Sequence, residues 1–479
     1  MVQNSDSVTT QVKSNSTYKR LVLLTVCISS LLGSMDNTIV NIALPELTIV
    51  FNTGLSTVIW ILLAYMLTAA GLMLTLGRLG DVVGRKRVYA IGFVLLTLGL
   101  ALCALAQNIT QLIIFRVIQG VGGAMTLATG IAIVSATFGA EERGRAIGIV
   151  GTAIGIGLMS GPALGGLFLD TLGWRSIFYL RLPLSILGTV MAWAVLKDDS
   201  SSKHRGSFDI WGAITLFTGL TSLLFALNQG QARGWTSPFV LNFGLAGVIL
   251  LSLFITIEKR LTQPILDLAL FRHRGFASAN ISRFLIFSGR RGFNLILPFL
   301  LIQACHYPAS SAGFIIITVP LTLTLLAPLS GWLYDRIGSR LLCPLGLAVI
   351  CLGIFLMRDL NTSSVWSDFT IRLLILGIGG SLFETPNNSS IMGLVRKQRL
   401  GTASAMIETT KIIGQFTGLI IASMIFASGQ PYYTDYLPYE QAILASFKDV
   451  ALAALLICFM AFLSSLFREK EVRQAQASI

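Results

Sequence analysis

Apolar residues fall along this chain in long blocks divided by short polar segments. A helix needs about 20 predominantly apolar residues to cross the hydrocarbon core of a bilayer. Fourteen blocks have roughly that length: 21–44, 57–76, 88–106, 110–137, 146–169, 174–196, 209–228, 238–257, 276–302, 310–333, 341–358, 368–395, 401–427 and 444–467. They predict an all-α polytopic membrane protein with fourteen transmembrane helices. The first block is too long for the core of a signal peptide and is read as an uncleaved span.

Composition agrees with that pattern. The 479 residues are 54% hydrophobic and 12% charged, about half the charge of a soluble chain. Mean hydropathy is +0.77. A soluble protein this apolar would expose large adhesive patches. The net charge of +13 would point to nucleic acid in a soluble chain. Here the basic residues sit mainly in the gaps between blocks, so topology accounts for them and no nucleic-acid partner is expected. With a cytoplasmic N-terminus, 24 of the 35 Lys and Arg residues lie in cytoplasmic segments and five at the outer ends. That bias orients the chain with both termini cytoplasmic, multi-pass in the plasma membrane. Six cysteines are scattered without a CxxC, and His204, His273 and His306 are far apart. This excludes a disulfide framework and a metal site, and no cofactor is expected.

An internal repeat organises the blocks. Gly77-Arg78-Leu79-Gly80-Asp81-Val82-Val83-Gly84 precedes Arg85-Lys86-Arg87, and Gly331-Trp332-Leu333-Tyr334-Asp335-Arg336-Ile337-Gly338 precedes Ser339-Arg340. Each follows the second helix of a six-helix set, so the chain reads as two six-helix halves with an extra pair between them (6+2+6). The expected layout is a cytoplasmic tail over 1–20, a first half over 21–196, a linker and inserted pair over 197–257, a second half over 258–467, and a tail over 468–479. Repeated halves around a central site are a mark of secondary transporters.

Several stretches resemble the major facilitator superfamily, and within it the fourteen-helix drug:proton antiporter family. Met35-Asp36-Asn37-Thr38-Ile39-Val40-Asn41-Ile42-Ala43-Leu44-Pro45 is similar to that family's first-helix signature. Gly77 to Arg87 resembles the superfamily loop motif, with Val82 in place of a usual basic residue. Arg116-Val117-Ile118-Gln119-Gly120 resembles the fourth-helix motif. Gly148, Gly157, Gly161, Pro162, Gly165 and Gly166 match the antiporter motif of the fifth helix, and Gly173-Trp174-Arg175 the start of the sixth. The resemblance implies a major facilitator fold. It also implies a conformational latch at Gly77, Asp81, Gly84, Arg85, Asp335 and Arg336. An acid at a helix end can accept hydrogen bonds from a neighbouring helix N-terminus. Glycines four apart give the fifth helix a smooth face for close packing.

Charges within the spans are costly and mark candidate functional sites. At 1.5 Å per residue, Asp36 lies roughly 22 Å from the inner end of its helix and Arg116 roughly 9 Å from the outer end of its own. Both fall in the outer half and can meet. Asp36, Asn37, Arg116 and Gln119 are candidates for proton coupling or substrate binding, with Arg290, Arg291, Glu384, Asn387, Asn388 and Glu408 in the second half. Six basic residues (Arg116, Arg181, Arg283, Arg290, Arg291, Lys411) face three acids (Asp36, Glu384, Glu408) inside the spans. That excess of three cations fits an anionic or zwitterionic substrate; the alternative is that Arg181 and Arg283 snorkel to the interfaces and the remaining charges mostly pair. Arg181 stands where the resembled family more often has a neutral residue. Pro386-Asn387-Asn388 either interrupts or kinks its helix.

No HExxH, GxSxG or GxxxxGK[ST] occurs, and no span holds a histidine, so neither an intramembrane enzyme nor a phosphate-loop ATPase is expected. The expected activity is proton-coupled export of small amphipathic compounds by alternating access, as a monomer in the lipid bilayer. The rival reading is an exporter or flippase of an anionic metabolite or lipid on the same fold.

Overall fold

A computed structural model describes residues 3–197, 210–258, 274–394 and 400–468. The helices are α1 (Gln3–Val50), α2 (Leu55–Val58), α3 (Trp60–Val83), α4 (Arg85–Leu105), α5 (Ile109–Thr137), α6 (Ala140–Leu172), α7 (Ser176–Tyr179), α8 (Leu182–Val195) and α9 (Ile210–Arg233). After these come α10 (Pro238–Glu258), α11 (Arg274–Phe299) with a π-helical turn at Leu300–Ala304, α12 (Ala309–Ile316), α13 (Thr318–Ile337), α14 (Ser339–Met357), α15 (Trp366–Gly393), α16 (Leu400–Thr434) and α17 (Tyr439–Leu466). Helix is the solution that hydrocarbon imposes, because every backbone N–H and C=O must be bonded within the segment. Among the described residues, thirteen helical stretches are long and apolar enough to cross a membrane. The expected span at 209–228 lies in α9, whose apolar stretch Ile214–Leu227 is shorter.

The chain forms two compact units. One comprises Met1–Thr53 and Trp60–Phe217, the other Gly54–Ile59 and Thr218–Ile479. Their internal packing repeats. In the first, α1 packs on α6, α4 on α5, α3 on α5, and α4 on α8. In the second, α11 packs on α16, α14 on α15, α13 on α15, and α14 on α17. Lipid removes most of the hydrophobic incentive for such contacts, so close approach of backbones carries them. A Cβ on Gly122 would sit 2.3 Å from the Leu96 nitrogen of α4, and one on Gly346 2.7 Å from the Gly379 carbonyl of α15. In both units a glycine thus seats the third helix of the repeat on the fourth.

The repeated motif is mostly helix. Residues 77–83 complete α3 and 85–87 open α4; residues 331–337 complete α13 and 339–340 open α14. The connection in each copy is one glycine, Gly84 at φ 113° and Gly338 at φ 76°. Both lie where an L side chain is strained, which accounts for the last glycine of the motif. Gly338→Ala is expected to cost about 1–3 kcal/mol, read as a lowered melting temperature in detergent. An unchanged melting temperature would remove the conformational explanation.

One block is broken and another stays whole through a proline. The block at 174–196 divides into α7 and α8 around Leu180 and Arg181, with Pro183 in the first turn of α8. The block at 368–395 is unbroken: α15 runs through Pro386, Asn387 and Asn388 as one helix. Proline removes one N–H and displaces the carbonyl four residues before it, which a packed helix can absorb.

Candidate functional site

In the first unit, α1 carries Asp36 into the middle of the bundle, where it is 1% exposed. Arg116 of α5 is 0% exposed, and Arg181, at the turn between α7 and α8, is 2% exposed. All three meet. Arg116 Nη1 donates to Asp36 Oδ1 at 2.8 Å, and its Nη2 lies 2.8 Å from Oδ2, a two-pronged approach suited to guanidinium and carboxylate. Arg181 Nη1 donates to Oδ1 as well. Gln119, one turn after Arg116 on α5, donates its Nε2 to Oδ1 at 2.9 Å and accepts from Arg116 Nη1 at 2.7 Å. Arg116 Nε is fixed by the Ile61 carbonyl of α3 at 2.9 Å, and Arg181 Nε by the Ile177 carbonyl of α7 at 2.8 Å. The Arg116 guanidinium lies 4.5 Å from the centre of the buried Tyr65 ring. Two cations against one carboxylate leave one positive charge in excess.

The surrounding helices hold this cluster through close backbone contacts. A Cβ on Gly157 of α6 would meet the Leu31 carbonyl at 2.5 Å, one on Gly161 the Met35 carbonyl at 3.0 Å, and one on Gly165 the Ile39 side chain at 2.7 Å. The smooth face of α6 is therefore seated on the part of α1 that bears Asp36. Pro162 and Gly166 are buried on the same helix. A Cβ on Gly99 of α4 would meet Gln119 backbone at 2.6 Å, and one on Gly120 the Tyr65 carbonyl at 2.9 Å. These contacts set the depth at which Gln119 and Arg116 are held.

The second unit pairs the equivalent helices with the charges exchanged. Arg290 of α11 donates to Glu384 Oε1 of α15 at 2.5 Å. Counted along straight helices at 1.5 Å per residue, the two fall in opposite halves of the bilayer. Two long side chains and helix tilt close that gap. Arg283 is 2% exposed, bonds the Ile407 carbonyl at 2.9 Å and Asn388 Oδ1, and lies 3.8 Å from Glu408. Glu408 also pairs with Lys411 one turn on. Neither Arg181 nor Arg283 snorkels, because each is buried and holds a carbonyl through Nε. Arg291 leaves α11 about 100° further round than Arg290, so the two adjacent arginines do not form one site. Asn387 accepts from Arg468, whose Nη1 lies 2.9 Å from Cys343 Sγ.

The sequence matches the Major Facilitator Superfamily profile over residues 26–257 and 279–478. The chain belongs to the major facilitator superfamily. It is similar to the riboflavin transporter RibZ of Clostridioides difficile, at 32% identity over 94% of this chain and 97% of that one. It is also 32% identical to the multidrug resistance protein Stp of Mycobacterium tuberculosis, over 82% of this chain and 73% of that one. The multidrug transporter MdtP of Bacillus subtilis is 29% identical over 90% and 80%. The fold matches that of an inward-facing bacterial homologue of the lysosomal transporter Spinster, with TM-score 0.70 and 16% identity over 94% of this chain and 98% of that one. The protein is thus a multi-pass membrane transporter of small molecules and not an enzyme.

Within this superfamily member, sequence pointed to Asp36, Arg116 and Gln119, and the structure brings them together with Arg181. Asn37 turns away and donates to the Gly33 carbonyl of its own helix at 3.1 Å. Tyr65 and Arg468 were missed. A tyrosine inside an apolar block looks like filler, and Arg468, just past the last block, looks like a topology charge. Of the latch residues, the Asp81 side chain lies outside the described residues. Gly77 packs on Ala128, Arg85 is half-buried, Asp335 is exposed, and Arg336 stacks 3.9 Å from the Trp332 ring centre.

Proposed function

We propose that the protein is a proton-coupled secondary transporter of small amphipathic compounds, working by alternating access in the plasma membrane with both termini cytoplasmic. The observation that carries this reading is the Asp36–Arg116–Arg181 cluster. A buried carboxylate that serves as counter-ion to two guanidiniums is a place where one proton changes the local balance. A proton on Asp36 cancels the charge that both arginines pair with. Arg116 sits two turns inside α5, tied to α3. Arg181 sits at a helix break, so α8 can carry it away from Asp36 when the pairing is lost. We assign Asp36 as the proton site, Arg181 as the movable cation and Arg116 with Gln119 as the fixed frame. Membership of the fourteen-helix drug:proton antiporter family, with α9 and α10 as the inserted pair, is supported by the multidrug relatives and the first-helix and fifth-helix motifs. The segments 77–87 and 331–340 are proposed as the latch.

A second reading has its own support. The site keeps an uncompensated cation, and a relative matched over nearly its whole length is named for riboflavin transport. Export of an anionic or polar planar metabolite fits both points. Proteoliposomes with an imposed inward proton gradient separate the two readings. Cationic dyes, zwitterionic drugs, riboflavin and anionic amphiphiles are added in turn while lumenal pH is followed. Flux set off by cationic dyes supports drug efflux; flux set off only by riboflavin or anions supports the second reading; no compound-dependent flux sinks proton coupling. Arg290→Gln frees Glu384 and removes a cation from the second unit. It is expected to reduce transport of an anionic compound about tenfold, taking roughly 1.4 kcal/mol for one charged contact. Unchanged anion transport in this variant would remove Arg290 from the substrate path.

A further inference from the structure

The first unit contains a cavity of about 280 Å³ lined by Tyr18, Arg85, Lys86, Ile133, Ala136, Thr137, Leu196 and Lys197. It lies at one end of the bundle, where α1 and α4 enter their apolar stretches and α5 and α8 leave theirs. Among its described lining side chains three are cationic and none is acidic. Arg85 and Lys86 open α4, whose first turn has no side-chain cap. The Lys197 ammonium lies 4.9 Å from the centre of the Tyr18 ring. The remaining wall is apolar, from Ile133, Ala136 and Leu196. The buried cluster around Asp36 shares none of these residues.

We propose that this cavity binds the phosphate headgroup of an anionic glycerophospholipid. Lys86 and Lys197, facing one cavity with no carboxylate among its described lining residues, call for an anion, and the volume accommodates a phosphate with its glycerol. The apolar wall calls for an occupant that is hydrophobic next to its charge, which a free phosphate is not. The cavity stands at the level where spans meet the headgroup layer, and basic pockets between helices there are suited to lipid phosphates. Trp193, in the last turn of α8 ahead of Lys197, is 52% exposed and gives the acyl chains an apolar, lipid-facing track beside the pocket. Lys86 opens α4 and Lys197 follows the end of α8 by two residues, so a lipid bound between them ties α4 to the chain leaving α8. The lipid would therefore tune the helix that carries Arg181.

The test uses the full chain, purified in neutral detergent and stripped of lipid. Native mass spectrometry measures retention of phosphatidylglycerol against phosphatidylcholine, with glycerol 3-phosphate and inorganic phosphate as soluble competitors. Wild-type protein is expected to prefer phosphatidylglycerol and to keep it against either competitor. Lys86→Gln/Lys197→Gln is expected to lose most of that preference, at roughly fivefold per removed charge or about 25-fold for the pair. Arg143→Gln/Arg145→Gln, which removes two charges from α6 outside the cavity, is expected to keep it. Equal loss in both double variants would make the effect one of general charge and overturn the site. Displacement by glycerol 3-phosphate or inorganic phosphate would identify a soluble phosphate as the occupant instead of lipid. Should the Lys86/Lys197 variant not fold, wild-type protein still decides the matter. A phosphatidylglycerol with a photoreactive headgroup should label peptides containing residues 84–88 or 196–197, and labelling confined to other segments would refute the proposal.

Discussion

Asp36→Asn is expected to abolish substrate-driven proton flux and to destabilise the protein by about 3–5 kcal/mol, the usual cost of breaking a buried ion pair by removing one partner. The native carboxylate accepts from Arg116, Gln119 and Arg181 and is 1% exposed. Asparagine keeps the shape and one acceptor oxygen but removes the charge. Local excess charge rises from one to two, with both guanidiniums out of reach of water. A second substitution separates stability from coupling. Asp36→Asn/Arg181→Gln leaves one guanidinium and no carboxylate, which returns the excess to one. The double variant should melt above the single variant yet still lack coupled flux. Melting of purified protein in detergent and lumenal pH in proteoliposomes read the two effects. Coupled flux surviving in Asp36→Asn would make Asp36 a packing residue and move the proton site elsewhere. A double variant no more stable than the single one would show that something other than charge holds the cluster.

The parts of this architecture that hydrocarbon dictates were legible before any coordinates. Span positions follow from block length alone, and depth counting was enough to bring Asp36 and Arg116 to one level. The failures share a cause: sequence fixes position along a helix, while function depends on direction around it and on tilt. Arg181 counted as a charge inside a block, but only the break after α7 aims it at Asp36. Arg290 and Glu384 count to opposite halves as long as tilt and side-chain length are left out. The motif between α3 and α4 read as a loop because its residues are polar. Polarity there reflects emergence from the apolar layer and not the end of the helix, which comes only at Gly84. The span expected at 209–228 is the weakest case, since Thr215, Thr218 and Thr221 dilute its apolar stretch.

Gly157→Ala is expected to disturb α1 far more than the same change at Gly148, although both glycines belong to one motif on one helix. A Cβ at Gly148 meets nothing within 4 Å. Replacing glycine there should stabilise the helix by roughly 0.5–1 kcal/mol, because alanine loses less backbone freedom on folding. A Cβ at Gly157 would lie 2.5 Å from the Leu31 carbonyl, and backbone inside a helix cannot step aside as a side chain can. The Ser34 hydroxyl beside it already donates to the Ser30 carbonyl at 2.8 Å, so it too is held in place. The contact is relieved only by moving α1 away from α6, at about 1–3 kcal/mol for overpacking a tight interface. Asp36 lies just over one turn beyond Leu31 on α1, so the displacement is carried into its bonds with Arg116, Gln119 and Arg181. Gly157→Ala should therefore lower both melting temperature and transport rate, while Gly148→Ala raises the first and spares the second. Equal behaviour of the two variants would mean that α6 does not set the position of α1, and that the motif acts through something other than close packing.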